Sequence, residues 1–588
     1  MAVPQPNRNA WALGTLAALL TVTAYGVGRR LGHHASARPG DPVGTALPGE
    51  AVMAAERLPP DAGLQSPSAE SVIVAQRKRI MGRLRSLEQV RRVATTIRPQ
   101  VDRAIEDPSI QADLRALAAT AGMSLDQYKT YFKGKQEADL LLESGGDPSA
   151  RSVSDAIGVA QFMVGTGQRC GLRVDIAASN ALSRKINALE SQIAWLQAQP
   201  VEWARAVPPA LAGVVPAVST ANASPDASML PAVSAATRPG MWSRDQWLAY
   251  RSGQRETLVA KRRQVDQRFD PARAVAAQTR YLVRLTRRYG GVDWALQAYH
   301  GGEAGASKTM SLFTGSGTRT LLASRGTPYA SLGMGRWLPY TELYQRVSPS
   351  ATPAAFSYLF GRSDDHRYYW WKVLMAERAL DLYRKDSQEF ERQWRELQPG
   401  LNADAAFYPD PTPLQFADNA ALADGYRSGE LVSLPRNAGA LGLRTVNLAA
   451  LAPASAPLQK GLRPEGMGTL LRLAQIYRSN GGQEPVSVLA MVQSGAYRQL
   501  WDSRYPERPL PPGVPRDPEF HTTGVAFDLR TPARDWDRKV LEYSLGQLYD
   551  GLKISWRKEN EAGSQRYHVV ANPKFKDELA GWYKQYAR

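Results

Sequence analysis

The longest uninterrupted run of apolar positions lies near the start of the chain, where residues 10–28 carry no charged side chain. About 20 apolar residues span a lipid bilayer as a helix, so this run predicts a transmembrane helix and a membrane anchor over residues 1–34. A cleaved signal peptide is the alternative, because residues 35–37 read Ala-Ser-Ala. Two arginines and two histidines separate the apolar run from that site, which favours the uncleaved anchor.

Beyond the apolar run, loop-forming stretches alternate with stretches that mix apolar and charged residues as helices do. Residues 35–70 are rich in Pro and Gly and predict a flexible tether, whereas residues 71–109 predict a basic helical segment. Residues 207–240 are almost all Ala, Pro, Val and Ser, which predicts a disordered insertion. Residues 351–465 contain a dense aromatic run that is typical of a buried helix, and they predict a helical connector.

The amino-acid composition limits the kinds of molecule that the protein is expected to bind. The 588 residues include 73 basic and 55 acidic side chains, and the net charge of +18 favours a polyanion such as nucleic acid, acidic lipid or an anionic cell-wall polymer. Zinc-finger spacing, aromatic RNA-binding signatures and heptad-linked basic regions are missing from the sequence, and charge alone leaves the partner open. The single cysteine, Cys170, excludes an intramolecular disulfide framework and a cysteine-based metal cluster.

The first candidate for chemistry is Glu143, which lies where a predicted helix meets the Gly-rich stretch GGDPSARS. A glutamate at such a junction can project into a cleft. The residues that follow Glu143 and Ser144 are Pro148, Ala150, Ser152, Ala156, Gly158, Gln161 and Thr166. With this spacing the segment resembles the signature of the soluble lytic transglycosylase family. Asp155 and Ala160 depart from that signature, since the family has Gly and Met there.

Later segments resemble further blocks of the same family in the same order. These segments are Phe269-Asp270-Pro271 with Arg280-Tyr281-Leu282, Gly290–Trp294 with Ala298–Gly302, and Leu338-Pro339 with Thr341 and Tyr344. The resemblance covers residues 110–350, interrupted by the insertion, and implies a mainly α, lysozyme-like domain. It implies that Glu143 is catalytic and that the substrate cleft is lined by Ser144, Gln161, Tyr299, His300 and Tyr344. His300 stands where the family has Asn.

The implied reaction uses one carboxyl group. Cleavage of a β-1,4 glycosidic bond needs a proton on the leaving oxygen, which a carboxylic acid can supply, and ordinary glycosidases pair two carboxylates. In the family that this segment resembles, one glutamate protonates the leaving oxygen and then accepts the proton of the sugar's own 6-hydroxyl. This implies cofactor-free cleavage of peptidoglycan between MurNAc and GlcNAc, with a 1,6-anhydro-muramoyl product. Asp147 and Asp155, in the loop after Glu143, are expected to cap or to be solvated.

A second constellation of polar residues lies near the C-terminus. His521 begins the run HTTGVAFD, which ends at Asp528, and His568 follows in a strand-like run. Two histidines and an aspartate can hold zinc with one position open for water, although a metal-free hydrogen-bond network explains the pattern equally well. The run resembles the D-Ala-D-Ala carboxypeptidase/endopeptidase family, whose pattern is His-x-x-Gly-x-Ala-x-Asp with a later Glu-x-Trp-His. The resemblance covers residues 466–588 and implies an α+β domain.

The second half of that pattern is incomplete. Gln565 stands where the family has its catalytic base glutamate, and Tyr567 stands where it has Trp. A zinc-bound water without a base is a poor nucleophile. Either Glu559 or Glu561 replaces the base, or the domain binds peptide stems of peptidoglycan without cutting them.

The sequence therefore predicts a multidomain protein of the bacterial cytoplasmic membrane. We expect a lysozyme-like transglycosylase domain, a helical connector and a C-terminal zinc-peptidase-like domain, all outside that membrane beside peptidoglycan. Two alternatives remain at this point: a non-catalytic cell-wall binding or scaffold protein, and a bifunctional enzyme with an active peptidase. The ordered blocks of the transglycosylase resemblance disfavour a nucleic-acid or membrane-surface binder driven by the charge of +18, so nucleic acid is not an expected partner.

Overall fold

The computed structural model describes residues 67–586, with gaps at 82–83, 85, 202, 207–240, 316–337, 363, 397–414, 447, 449–450, 505–519 and 562–563. The predicted membrane anchor, the tether up to residue 66 and the predicted insertion at 207–240 lie outside the described residues. In the described part, the chain is mostly helical with a small sheet region. No helix of that part is long and apolar enough to cross a membrane.

A first group of helices leads to Glu143. In chain order these are α1 (Ala69–Met81), α2 (Leu87–Arg92), α3 (Arg98–Ile105), α4 (Pro108–Ala121), α5 (Leu125–Ser144) and α6 (Val164–Arg169), with a π-helical turn at Val93–Ile97. The prediction of helix over the basic segment is confirmed, and α1 also contributes to the core. Its apolar residues Val72, Ile73 and Ile80 are buried in the main core.

A long helical hairpin interrupts the chain after α6. It consists of α7 (Ile176–Gln197) and α8 (Arg244–Val265), and its tip carries a short antiparallel ladder of β1 (Ala204–Ala206) and β2 (Met241–Ser243). Trp242 and Trp247 pack edge to face near the tip, with ring centroids 5.1 Å apart. The two ends of the predicted insertion are therefore held together by the ladder.

A second group of helices completes the surroundings of Glu143. In chain order these are α9 (Pro271–Tyr289), α10 (Val292–Gly301), α11 (Glu303–Thr314), α12 (Tyr340–Arg346), α13 (Pro353–Phe360), α14 (Asp364–Arg367), α15 (Tyr369–Lys385) and α16 (Ser387–Glu396). The aromatic run of the predicted connector forms α15, and most of its first two turns is buried, including Trp370 and Trp371. The prediction of a buried helix is confirmed there.

The sheet region follows α16. Its elements are α17 (Asn419–Ser428), β3 (Val432–Ser433), β4 (Leu443–Thr445), β5 (Gly461–Leu462), α18 (Pro464–Ser479), β6 (Val486–Ala490), α19 (Gly495–Arg504), α20 (Phe520–Thr523), β7 (Ala526–Arg530), α21 (Asp535–Asp550), β8 (Ile554–Glu561), β9 (Ser564–Ala571) and α22 (Lys576–Tyr586). Five strands form one sheet in the order β4-β6-β7-β9-β8, with β4 parallel to β6 and the other pairs antiparallel. This sheet includes β4, which precedes residue 466, the predicted start of the C-terminal domain.

The helical and sheet regions pack directly on each other. The Tyr344 hydroxyl donates to Asp550 Oδ2 at 2.6 Å, and the Tyr549 hydroxyl donates to the Ala75 carbonyl at 2.6 Å. The described residues, from 67 to 586, form one compact unit, so the predicted division into several domains is not confirmed.

Candidate functional sites

Glu143 lies in the last turn of α5, as the sequence predicts. Ser124 and Gln127 form a capping box at the start of this helix, and Gly145 ends it in the left-handed conformation, with φ of 62°. Glycine adopts that conformation without the steric cost that a Cβ imposes. The Glu143 side chain is 14% exposed, so its carboxyl group is largely buried yet open to a ligand.

The loop after α5 is shaped by two residues that the sequence assigned to substrate binding. Ser144 Oγ donates to the Val159 carbonyl at 2.7 Å, which ties the end of the helix to the far side of the loop. Gln161 Nε2 donates to the Gly158 carbonyl at 2.8 Å. The backbone of Gly158 has a φ of +79°, and a Cβ there would lie 1.9 Å from the Arg268 carbonyl oxygen. Ser144 and Gln161 therefore hold the loop, and the loop needs glycine at position 158.

The two aspartates of this loop are occupied or exposed. Asp147 Oδ1 accepts hydrogen bonds from the backbone nitrogen of Ser149 at 2.8 Å and from its hydroxyl at 2.7 Å, which confirms a capping role. Asp155 is exposed and lies 3.7 Å from Arg151 Nε. Neither Asp147 nor Asp155 is hydrogen-bonded to the Glu143 carboxyl.

Two aromatic side chains hold Glu143 Oε1. His300 Nδ1 lies 2.9 Å from this oxygen, and the Tyr369 hydroxyl donates to it at 2.7 Å. The two rings are stacked, with centroids 3.9 Å apart and an interplanar angle of 9°. The structure therefore brings His300, as the sequence predicts, and Tyr369, which the sequence reasoning missed, onto the same carboxylate oxygen.

A second carboxyl group, Asp139, lies behind Tyr369. The Tyr369 hydroxyl is 2.5 Å from Asp139 Oδ1, and Gln278 Nε2 donates to Asp139 Oδ2 at 2.7 Å. Asp139 is fully buried. Burial, and then the nearby charge of Glu143, raise the pKa of Asp139 well above its usual range, although the Tyr369 hydroxyl acts in the opposite sense. The spacing of four residues between Asp139 and Glu143 on one helix was a signal available in the sequence.

The other two predicted cleft residues differ in their position. The Tyr299 hydroxyl donates to the Ala160 carbonyl, and its ring packs against Phe162 at the base of the loop. Tyr344 makes its contacts elsewhere, since its hydroxyl donates to Asp550 and its ring packs on Trp371. Tyr299 thus joins the Glu143 loop, whereas Tyr344 belongs to the contact between the helical and sheet regions.

The C-terminal constellation is also assembled. Asp528 on β7 is paired with His568 on β9 in the ladder, and His521 lies in α20 just before β7. Asp528 Oδ1 is 2.8 Å from His568 Nδ1 and 3.2 Å from His521 Nε2, and all three side chains are buried. The possible ligand atoms of these three residues all lie within 4.8 Å of one another.

These three residues fit a zinc ion. His521 Nδ1 is 2.9 Å from the Met491 carbonyl, and because a carbonyl only accepts, this nitrogen carries the proton. His521 Nε2 then keeps its lone pair on the side of Asp528, which is the tautomer that a metal ligand needs. The donor set of two imidazoles and one carboxylate is typical of zinc sites with an open position.

Among the described side chains, neither Gln565 nor Glu559 provides this constellation with a free base. Gln565 is exposed, and Glu559 is bound by two guanidinium groups, with Arg557 Nε at 2.5 Å and Arg566 Nη2 at 2.8 Å. Burial opposes ionisation of Glu559, but His568 and these two arginines outweigh it and lower the pKa of the carboxyl. Arg566 Nη1 also lies 2.9 Å from Asp528 Oδ2. The side chain of Glu561 lies outside the described residues.

Comparisons with protein-family models, with curated proteins and with solved structures find no match for this chain.

Proposed function

We propose that this protein is a peptidoglycan lytic transglycosylase that cleaves the bond between MurNAc and GlcNAc without water. The observation that carries the proposal is the Glu143 carboxyl. It lies at the end of α5, it is partly exposed, and its Oε1 atom is held by Tyr369 and His300. This arrangement leaves Oε2 as the oxygen available to a glycan.

The proposed chemistry consists of two proton transfers by one group. In the first, the protonated Glu143 carboxyl donates to the oxygen of the scissile bond while that bond breaks. In the second, the carboxylate accepts the proton of the 6-hydroxyl as this oxygen closes onto the anomeric carbon. Tyr369, and His300 with its proton on Nδ1, donate to Oε1 and stabilise the negative charge that Glu143 carries between the two transfers.

The positions of the other acidic residues favour one carboxyl over a pair. A hydrolase that uses two carboxylates places the second one where it can activate water or attack the sugar. Asp139 is fully buried behind Tyr369, Asp147 is engaged in capping Ser149, and Asp155 is exposed. None of these three is placed by its contacts to act on a sugar bound at Glu143, which supports the anhydro-forming reaction.

The proposed setting follows from the N-terminal run and from the charge. We propose a single-pass anchor within residues 1–34 in the bacterial cytoplasmic membrane, with the catalytic part in the periplasm or cell-wall space. The net charge of +18 suits an anionic wall polymer as the partner. A lysozyme-like arrangement of the helices around Glu143 is part of the same proposal.

A second function is favoured by the geometry of the C-terminal constellation. We propose that His521, Asp528 and His568 hold one zinc ion, which would polarise a bound water or a peptide carbonyl when present. With Gln565 exposed and Glu559 occupied by Arg557 and Arg566, the proposed role is binding of peptide stems with weak or no cleavage.

Product analysis tests the first proposal. Purified peptidoglycan is digested with the full-length protein, and the soluble products are analysed by mass spectrometry. Products that end in 1,6-anhydro-muramic acid, each lighter by one water than the hydrolytic product, are expected. Hydrolytic products would show a hydrolase, and unchanged peptidoglycan would show a non-catalytic wall-binding protein.

A further inference from the structure

The hydroxyl of Tyr369 lies between two carboxyl groups, 2.7 Å from Glu143 Oε1 and 2.5 Å from Asp139 Oδ1. Both distances are those of hydrogen bonds between oxygens. A phenol has one hydrogen and a carboxylate has none, so two such bonds need a second hydrogen. One of the two carboxyl groups must therefore be protonated for both bonds to exist.

The surroundings of the two carboxyl groups differ. Asp139 is fully buried, and among the described residues the polar groups that face it are Glu143 on α5, Gln278 on α9, Tyr299 on α10 and Tyr369 on α15. None of these four carries a positive charge. Glu143 is partly exposed and has His300 as an additional neighbour. Placing the proton on Asp139 costs less free energy than placing it on Glu143. An ionised carboxylate that is buried without a neighbouring cation loses its hydration without compensation.

We propose that Asp139 is a positioning residue that stays protonated throughout the reaction and fixes the direction of the Tyr369 hydroxyl. Its carboxylic acid donates to the oxygen of Tyr369, and Tyr369 then donates to Glu143 Oε1. Neither residue gives up its proton, and only the proton on Glu143 Oε2 moves to the leaving oxygen and is later regained from the 6-hydroxyl. The catalytic consequence rests on the proposed function of Glu143.

The direction of these two hydrogen bonds matters, because the opposite direction takes the Tyr369 donor away from Glu143. If Asp139 were ionised, Tyr369 would turn its hydrogen to Asp139, and Glu143 would lose a donor. A second negative charge would also lie close behind Glu143 and oppose its ionisation after the first proton transfer. Burial, and then the charge of Glu143, raise the pKa of Asp139, which is the direction that favours its protonated form.

Infrared spectroscopy of the full-length protein tests the protonation state without any activity. The comparison is made at pH 7 between Glu143→Gln and the double variant Glu143→Gln/Asp139→Asn, so that the Glu143 carboxyl contributes to neither spectrum. We expect the first variant to show a protonated-carboxyl C=O band that the second lacks. Identical spectra in the carboxylic-acid region would overturn the proposal, whatever reaction the protein catalyses.

Kinetics of peptidoglycan lysis then test the positioning role. Asp139→Ala is expected to lower kcat about tenfold and to shift the pH profile of kcat, because Tyr369, whose hydrogen bond to the charged Glu143 is worth about that factor, is no longer fixed in direction. Asp139→Asn offers an amide donor in place of the acid and is expected to recover most of that loss. Equal losses in Asp139→Asn and Asp139→Ala would overturn the role.

A third comparison asks whether Asp139 acts through Tyr369. Tyr369→Phe is expected to lower kcat by about tenfold as well, because the donor to Glu143 is removed. Adding Asp139→Ala to Tyr369→Phe is then expected to cause little further loss and no further shift of the pH profile. If the double variant instead lost kcat by the product of the two single losses, Asp139 would act independently of Tyr369, which contradicts the proposal.

Discussion

The imidazole of His300 and the phenol of Tyr369 stack face to face, with centroids 3.9 Å apart, while both reach the same oxygen of Glu143. The stack orders two donors that come from helices far apart in sequence, α10 and α15. Because of this stack, His300 affects the Glu143 carboxyl in two ways: through its own contact with the carboxyl and by supporting Tyr369.

The first prediction concerns this stack. His300→Ala is expected to lower kcat for peptidoglycan lysis by about tenfold, because one contact to Glu143 and the support of Tyr369 are lost together. His300→Asn, which places the residue of the resembled family there, is expected to retain more activity, since its amide can still donate. Initial rates of glycan release measure both variants. A rate for His300→Ala within about twofold of the wild type would remove His300 from the site.

The second prediction concerns the buried carboxyl of Asp293 at the start of α10. It accepts hydrogen bonds from the backbone nitrogens of Trp294 at 2.8 Å and Tyr340 at 2.7 Å, and burial raises its pKa to about 7 in spite of these bonds. A raised folded-state pKa means that this group favours folding below the unfolded pKa. The contribution is then lost as pH rises toward 7, with a limiting slope of about 1.4 kcal/mol per pH unit.

Chemical denaturation of the wild type and Asp293→Asn between about pH 4 and pH 8 measures that contribution. The free energy of unfolding of the wild type, relative to the variant, is expected to fall as pH rises over this range. The variant also loses one backbone hydrogen bond, since an amide has one acceptor oxygen, which costs about 1–3 kcal/mol. A difference between the two proteins that stays constant with pH would contradict the assignment.

The sequence predicts the setting of Glu143 well and its partners incompletely. The change from a mixed helical pattern to GGDPSARS locates the end of α5 at Ser144, because glycine and proline end helices by local chemistry. Tyr369 lies 226 positions after Glu143 in an aromatic run whose buried character was predicted, and no spacing rule relates the two. Tyr344 was assigned to the cleft by its motif, yet its hydroxyl is taken by Asp550, a partner that only tertiary packing provides.

For the C-terminal constellation, too, the sequence predicts the local features but not the tertiary contacts. The strand around His568 and the spacing from His521 to Asp528 are local features, and the structure has β9 where the strand was predicted. That Arg566 would contact both Asp528 and Glu559 depends on the pairing of β8 with β9, in which Glu559 lies opposite Arg566. Local sequence does not fix that register.

The third prediction is that the full-length protein binds one zinc ion through His521, Asp528 and His568. Metal analysis after purification and dialysis is expected to give about one zinc per chain for the wild type and almost none for His521→Ala, since zinc sites need their full ligand set. His300→Ala is the matched control and is expected to keep its zinc. Equal metal content in wild type and His521→Ala would mean that the constellation is a hydrogen-bond network.

The fourth prediction concerns the Ala- and Pro-rich segment at residues 207–240. Deletion of residues 212–236 is expected to preserve folding and lysis, because β1 and β2 already hold the two ends together. Shortening a loop changes its closure free energy by only about 0.6 kcal/mol per factor of two in length. Thermal unfolding and lysis rates of the deletion variant check this, and loss of both would show that the segment packs against the rest of the protein.

Glu143 is proposed to be both the acid and the base of an anhydro-forming cleavage. The most direct measurement compares wild type, Glu143→Gln and the loop control Asp155→Asn by mass analysis of the products released from peptidoglycan. Wild type and Asp155→Asn are predicted to release 1,6-anhydro-muropeptides at similar rates, and Glu143→Gln, which keeps the shape but not the proton, is predicted to be slower by about 10²–10⁴-fold. Release of anhydro products by Glu143→Gln near the wild-type rate would contradict the claim.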